Sequence, residues 1–139
     1  MDQVILELKL ESLRRCIRRM NEKTPPDVNQ LVQDPDIQDI LVLNLTRAVQ
    51  LCVDIGSHVI SETDEPAPST MGDVFSTLEK LGIIASATCQ ALKKAVGFRN
   101  VAVHNYDAIN WEIVFAICKK SLVDFREFAR EITEYGNSR

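Results

Sequence analysis

The feature that most constrains this chain is the spacing of its apolar residues, which recurs at three and four along its length and nowhere alternates with period two over a strand's length. Spacing of that kind aligns side chains along one side of an α-helix, whereas a half-buried strand needs every second residue apolar. Leu6, Leu10, Leu13, Ile17 and Met20 form the first stripe, and Arg14, Arg15, Arg18 and Arg19 occupy the other face. Pro25-Pro26 stops that helix, because proline lacks an amide donor and its ring blocks the preceding turn. A short polar segment follows, in which Asp34-Pro35-Asp36 marks a turn and an N-cap. The second helix is long, about Ile37 to Glu62, with a core stripe of Ile37, Leu41, Leu45, Ala48, Cys52, Ile55 and Val59.

Residues 62 to 70, with Pro66 and Pro68, read as a turn-rich loop. Thr70 caps a short helix through Met71, Phe75 and Leu78, and Gly82 breaks it. A further helical segment carries Ala85, Cys89, Leu92 and Val96 and leads to Gly97. Asn110 caps the last long helix, where Val114, Ile117, Ser121, Phe125, Phe128 and Ile132 recur, and the tail after Tyr135 is expected to fray. There is no internal repeat or low-complexity tract. The expected architecture is all-α, an antiparallel bundle of four main helices plus a short one, as a single domain over 1–139.

Charge and cysteine usage narrow the function classes. Sixteen basic against twenty acidic residues leave a formal charge of −4, which excludes coating nucleic acid by bulk electrostatics. Any contact with RNA must use a local basic cleft. Cys16, Cys52, Cys89 and Cys118 are widely spaced, make no CxxC pair and fall on apolar stripes, so buried free thiols are expected rather than a metal or disulfide framework. No apolar run reaches the roughly 18–20 residues that span a bilayer. The start, Met1-Asp2-Gln3, lacks the basic and apolar regions of a secretory leader. A cytoplasmic protein with no membrane partner is expected.

The densest polar cluster is the run from Gly97 to Tyr106, which places Arg99, His104 and Tyr106 within eight residues. Arginine offers a forked, permanently charged donor to a phosphate, and histidine exchanges protons near neutral pH. Those two types suffice in principle to cleave RNA without a metal or cofactor. The histidine would deprotonate a 2′-hydroxyl or protonate the leaving 5′-oxygen, while arginine steadies the anionic phosphorus. On one continuous helix, residues five apart lie about 140° apart in projection. Arg99 and His104 would then face different ways, whereas Asn100 and His104 share a face. Convergence needs a kink near Gly97 or a second copy of the chain, and a two-fold dimer would supply both an acid and a base. Taken alone, His104 reads as a helix-packing histidine, Arg99 as half of an ion pair, and Tyr106 as a packed ring with an exposed hydroxyl.

Two further patterns carry weaker signals. A second row on the long helix reads Asn44, Arg47, Leu51, Asp54 and His58. It either fixes helix register as a buried polar network or walls the same cleft, with Arg47 on a phosphate and Asp54 orienting Arg99 or His104. Asp54 and His58 are four apart, but two ligands without a third do not make a metal site. The arginine face of the first helix reads as solvated surface rather than an RNA groove. Gly56-Ser57 lies inside a helix, where a strand-associated nucleotidyltransferase signature cannot work.

Arg99-x4-His104-x-Tyr106 resembles the signature of HEPN ribonucleases in the form found in HepT toxins. The string from Lys93 to Tyr106, the Leu43-Asn44-Leu45-x-Arg47 run and the stretch from Cys52 to His58 are similar to that family too, over nearly the whole chain. The resemblance implies a dimeric, metal-independent endoribonuclease toxin that cuts tRNA or mRNA to leave a 2′,3′-cyclic phosphate. It also implies a minimal nucleotidyltransferase antitoxin that neutralises the toxin by adding AMP to the motif tyrosine, here Tyr106. Arg99 and His104 are then the catalytic pair, with Asn100, Asn44, Arg47 and Asp54 in support. The alternative within the family is a non-catalytic HEPN subunit that binds the nucleotidyltransferase.

Overall fold

A computed structural model of the chain describes residues 3–138. Met1 and Asp2, on which the reading of the leader rests, and Arg139, the end of the tail, lie outside the described residues. The helices are α1 (Gln3–Lys23), α2 (Val28–Val32), α3 (Pro35–Ser61), α4 (Met71–Lys80), α5 (Ser86–His104), α6 (Trp111–Ala116) and α7 (Leu122–Asn137). A 3-10 turn at Tyr106–Ala108 and a π turn at Ile117–Ser121 complete an all-α bundle, with no strand among the described residues.

α3 is the spine and touches every other helix. Asp34 caps it as expected, accepting from the amides of Asp36 and Ile37, and Pro35 takes the first helical position, where its missing donor is harmless. The expected stripe from Leu41 to Val59 is buried, and Val42, Val49, Val53 and Ile60 are buried beside it. Contrary to the expectation that no apolar run is of spanning length, α3 is long and apolar enough to cross a membrane by length and composition, and its two-sided burial in the bundle accounts for that. Its apolar faces lie against the other helices. Gly56 sits where α4 crosses closely: a Cβ there would come 2.5 Å from Val74 Cγ1.

Four expectations are corrected. The polar segment before α3 contains a short helix, α2, because Asp27 caps it through the amide of Gln30 and Leu31 is fully buried. The helix leading to Gly97 continues without interruption to His104, since Gly97 has helical backbone there and open space around it. The last helix is broken by the π turn. Val114, Cys118 and Leu122 are buried, at spacings of four and four, while Ile117 and Ser121 are only partly buried. A period of four outruns the α-helix's 3.6 residues per turn, and the wider turn absorbs the difference. At the end of the chain, helix continues through Asn137 where fraying was expected.

Two helix ends show how the bundle is locked. α4 closes in a Schellman motif: Gly82, at φ +75°, and Ile83 donate their amides to the carbonyls of Glu79 and Leu78. The N-cap of α5 is Ala85, which has no side chain to cap with, and a carboxylate from α7 takes over. Glu131 accepts from the Ala85 amide and from the hydroxyl of buried Thr88, both at 2.6 Å. All four cysteines are free and buried.

Candidate functional site

The motif straddles the C-terminal end of α5. Arg99 lies in the penultimate turn, half-buried, Asn100 is exposed beside it, and His104 is the last helical residue, exposed to solvent. Arg99 Nη1 donates to Asn100 Oδ1 at 3.3 Å. No carboxylate among the described residues lies within ion-pair distance of Arg99. Because α5 is unbroken, Arg99 and His104 point about 140° apart. Of the two ways to bring them together, the kink near Gly97 is therefore not used.

Tyr106 is held differently. Asn105 leaves helical geometry, its amide still bonded to the Val101 carbonyl, and the chain turns so that Tyr106 opens the 3-10 turn. Its ring packs edge-on to Trp111, with centroids 6.0 Å apart. Its hydroxyl donates to Asp39 Oδ1 at 2.5 Å, reaching across 67 positions of sequence to the first turns of α3. Burial, the hydrogen bond to the Asp39 carboxylate and its negative charge push the phenol up to about 12. Sequence reasoning missed both Asp39 and Trp111. Trp111, the single tryptophan five residues beyond the motif, carried a local signal; Asp39 carried none.

The supporting residues on α3 are not gathered around Arg99 and His104 within one chain. Asp54 accepts from Gln50 Nε2 at 2.9 Å and lies 3.9 Å from Lys9 Nζ, so it orients neither motif residue. Asn44 is 8% exposed and returns its Nδ2 to the carbonyl of Ile40 at 2.8 Å. Arg47 lines, with Asn44 and Asp54, a groove between α3 and α1. Beside the motif instead is an apolar groove of about 620 Å³, floored by Gly97, Phe98 and Val101 of α5 and by Ile109, Ile113 and Ile117 opposite. Among the described residues no three His, Cys, Asp or Glu side chains converge as a metal-binding set.

These residues can bind a phosphodiester through Arg99 and move a proton through His104, provided something brings the two to one phosphate. Comparison with known proteins supplies a context for that chemistry. A family model described as "Ribonuclease HepT-like" matches residues 13–132. The mRNA nuclease HepT of Shewanella oneidensis is 34% identical over 128 residues, covering 92% of this chain and 95% of the relative. The tRNA nuclease HepT of Aphanizomenon flos-aquae is 25% identical over 134 residues, covering 96% and 91%. In three dimensions, a tri-AMPylated Shewanella oneidensis HEPN toxin solved in complex with an MNT antitoxin superposes with a TM-score of 0.88 at 34% identity, covering 96% of this chain and 99% of that one.

Proposed function

Since the chain belongs to the HepT-like ribonuclease family, we propose that it is the endoribonuclease toxin of a cytoplasmic toxin–antitoxin pair whose other member is a minimal nucleotidyltransferase. The observation that carries this reading is the complete Arg99-x4-His104-x-Tyr106 run at an exposed helix end, with no carboxylate of the described residues within ion-pair distance of Arg99. A guanidinium with no carboxylate partner among the described residues, in a chain of net charge −4, is available to an anion, and its fork suits a phosphodiester.

The reaction is transesterification at phosphorus. The 2′-oxygen attacks the adjacent phosphorus, its proton passes to a base, and the 5′-oxygen leaves carrying a proton from an acid. The products are a 2′,3′-cyclic phosphate and a 5′-hydroxyl end. His104 serves as base or acid, and Arg99 neutralises the charge that builds on the non-bridging oxygens. Asn100, bonded to Arg99, positions it. Since one chain turns Arg99 and His104 apart, the competent form is a two-fold dimer in which two α5 ends meet over one phosphate. The apolar groove floored by Phe98 and Val101 runs beside the motif and is the surface such a partner copy would cover. The substrate is RNA, of the tRNA or mRNA class, in one domain spanning 1–139.

Tyr106 is the control point. Attack of its phenolic oxygen on the α-phosphorus of ATP, with pyrophosphate leaving, would place an AMP group beside Arg99, where it occupies the phosphate site and repels RNA. The proton released is already aimed at Asp39. The test is cleavage of labelled tRNA in EDTA by the purified chain. Activity should persist without metal, and His104→Ala and Arg99→Ala should each lose it, the former by about 10²- to 10⁴-fold. A folded parent that cuts no RNA but binds the nucleotidyltransferase would make the chain a non-catalytic partner subunit instead.

A further inference from the structure

The four arginines of α1 do not form one surface. Arg14 and Arg18 turn toward Glu11, at 3.8 and 3.4 Å, and border a groove of about 760 Å³ against α7. That groove is larger and Arg126 also lines it, but three of its four arginines are paired: Arg14 and Arg18 with Glu11, and Arg130 with Glu127 and Glu134. Arg15 and Arg19 turn the other way, into a groove of about 580 Å³ between α1 and α3, where Arg47 faces them. None of these three has a carboxylate partner among the described residues. The one acid among the described residues of the groove's lining, Asp54, is already engaged by Lys9 and Gln50. Arg15 and Arg47 converge on Cys16: burial raises that thiol's pKa, and the two guanidiniums pull it back.

We propose that this α1–α3 groove is a second RNA-binding site, in which Arg15, Arg19 and Arg47 hold backbone phosphates of a single strand whose scissile phosphate lies at Arg99 and His104. The proposal rests on the ribonuclease reading above and adds a place for the flank of the substrate. Continuity along α3 supports it. Asp39 holds Tyr106 at the motif, its neighbour Ile40 opens the groove, and Leu43 and Arg47 follow at one and two turns. Arg47 is therefore only about 12 Å along the helix axis from the residue that anchors Tyr106. Arg15 and Arg19, four apart, are separated by about 6 Å of helix rise, a step comparable to that between successive phosphates of one strand. Ile40, Leu43 and Leu51 give the groove an apolar floor against which sugars and bases can rest. An acidic protein surface would find the same charges, but arginines spaced along a groove that opens one residue from the anchor of Tyr106 favour a strand. This concentrates in one groove the positive charge that the overall composition denies to the surface as a whole.

The test uses the full-length chain carrying His104→Ala, so that RNA is bound and not cut. Affinity for a labelled oligouridylate is measured over a range of salt. Two phosphate contacts on a single strand contribute about 1.4 to the slope of log K against log salt. Arg15→Ala/Arg19→Ala should lower the slope by about that amount and weaken binding, and Arg15→Lys/Arg19→Lys should keep most of the slope. Arg14→Ala/Arg18→Ala removes the same charge from the same helix on the Glu11 side and should leave the slope near the parent's. Equal losses in the two alanine pairs would overturn the groove, because net charge alone would then explain them. An unchanged slope in Arg15→Ala/Arg19→Ala would overturn it too, and if binding of the nucleotidyltransferase fell instead, the groove would belong to that partner. Cleavage of RNA by the His104-containing parent separates these outcomes from failure of the ribonuclease reading itself.

Discussion

Two side chains, one five residues away and one 67 residues away, define the chemistry around Tyr106. The ring is steadied by Trp111, and the hydroxyl is committed to Asp39 rather than to water. Burial disfavours the phenolate, and a phenol that donates to a carboxylate resists ionisation further, since its anion would face a second negative charge at contact distance. Tyr106 should therefore ionise near pH 12, and Asp39→Asn should bring it back toward the ordinary value of 10.0. Phenolate absorbance in a Tyr135→Phe background reads this directly; an unmoved titration in Asp39→Asn would mean that Asp39 does not hold the hydroxyl. The sign for stability follows from proton linkage. Between pH 10 and about 12 the unfolded chain releases a proton that the folded chain keeps, so the contact's contribution fades as pH rises through that window. If Tyr106 is the AMP acceptor, the same bond keeps the oxygen protonated until the nucleotide is in place and then offers the proton a destination.

At the scale of elements, α5 must present the motif at one end while being anchored at the other. Its anchoring comes from α7, because Ala85 cannot cap its own helix and Glu131 fills that role from a distance. A carboxylate at a helix N-terminus satisfies free amides and favours the helix dipole. Glu131→Ala should cost about 1–2 kcal/mol, more than an ordinary surface substitution, because it also strands the buried Thr88 hydroxyl. Urea unfolding followed by circular dichroism measures it; a change within a few tenths of a kcal/mol would show that water replaces the cap freely. The π turn works at the same scale. By absorbing the four-residue spacing of Val114, Cys118 and Leu122, it lets α6 keep Trp111 beside Tyr106 while α7 keeps Phe125, Phe128 and Ile132 in the core.

For the whole molecule, the decisive fact is that an unbroken α5 aims Arg99 and His104 apart. The proposed dimer makes that geometry productive, and mixing subunits tests it. If the parent is equilibrated with an equal amount of an Arg99→Ala/His104→Ala chain, a cleft that needs both copies leaves about a quarter of the activity of all-parent dimers at the same total protein concentration, the fraction in which both subunits are intact. Independent protomers would leave about half, and that result would sink the shared cleft.

Much of this is legible in the amino-acid sequence. Apolar spacing of three and four specifies helices, and their caps are local chemistry, so Asp34, Thr70 and Asn110 all stand where the sequence places them. The Arg99-to-Tyr106 run could be read because its members lie within eight residues of one another. What a polar, short or irregular segment does depends on partners far away in sequence. Leu31 makes α2 a helix by finding the core, Gly97 stays helical because its neighbours do, and Val114, Cys118 and Leu122 reset the last helix by turning inward. The four arginines of α1 are indistinguishable along the chain. Packing against α3 on one side and α7 on the other divides them, leaving two paired with Glu11 and two facing Arg47 across an open groove. Local spacing and capping thus determined the helices and the motif. Only tertiary packing decided that Tyr106 answers to Asp39 and that Asp54 does not answer to Arg99, because such pairings depend on distances that a linear order of residues does not contain.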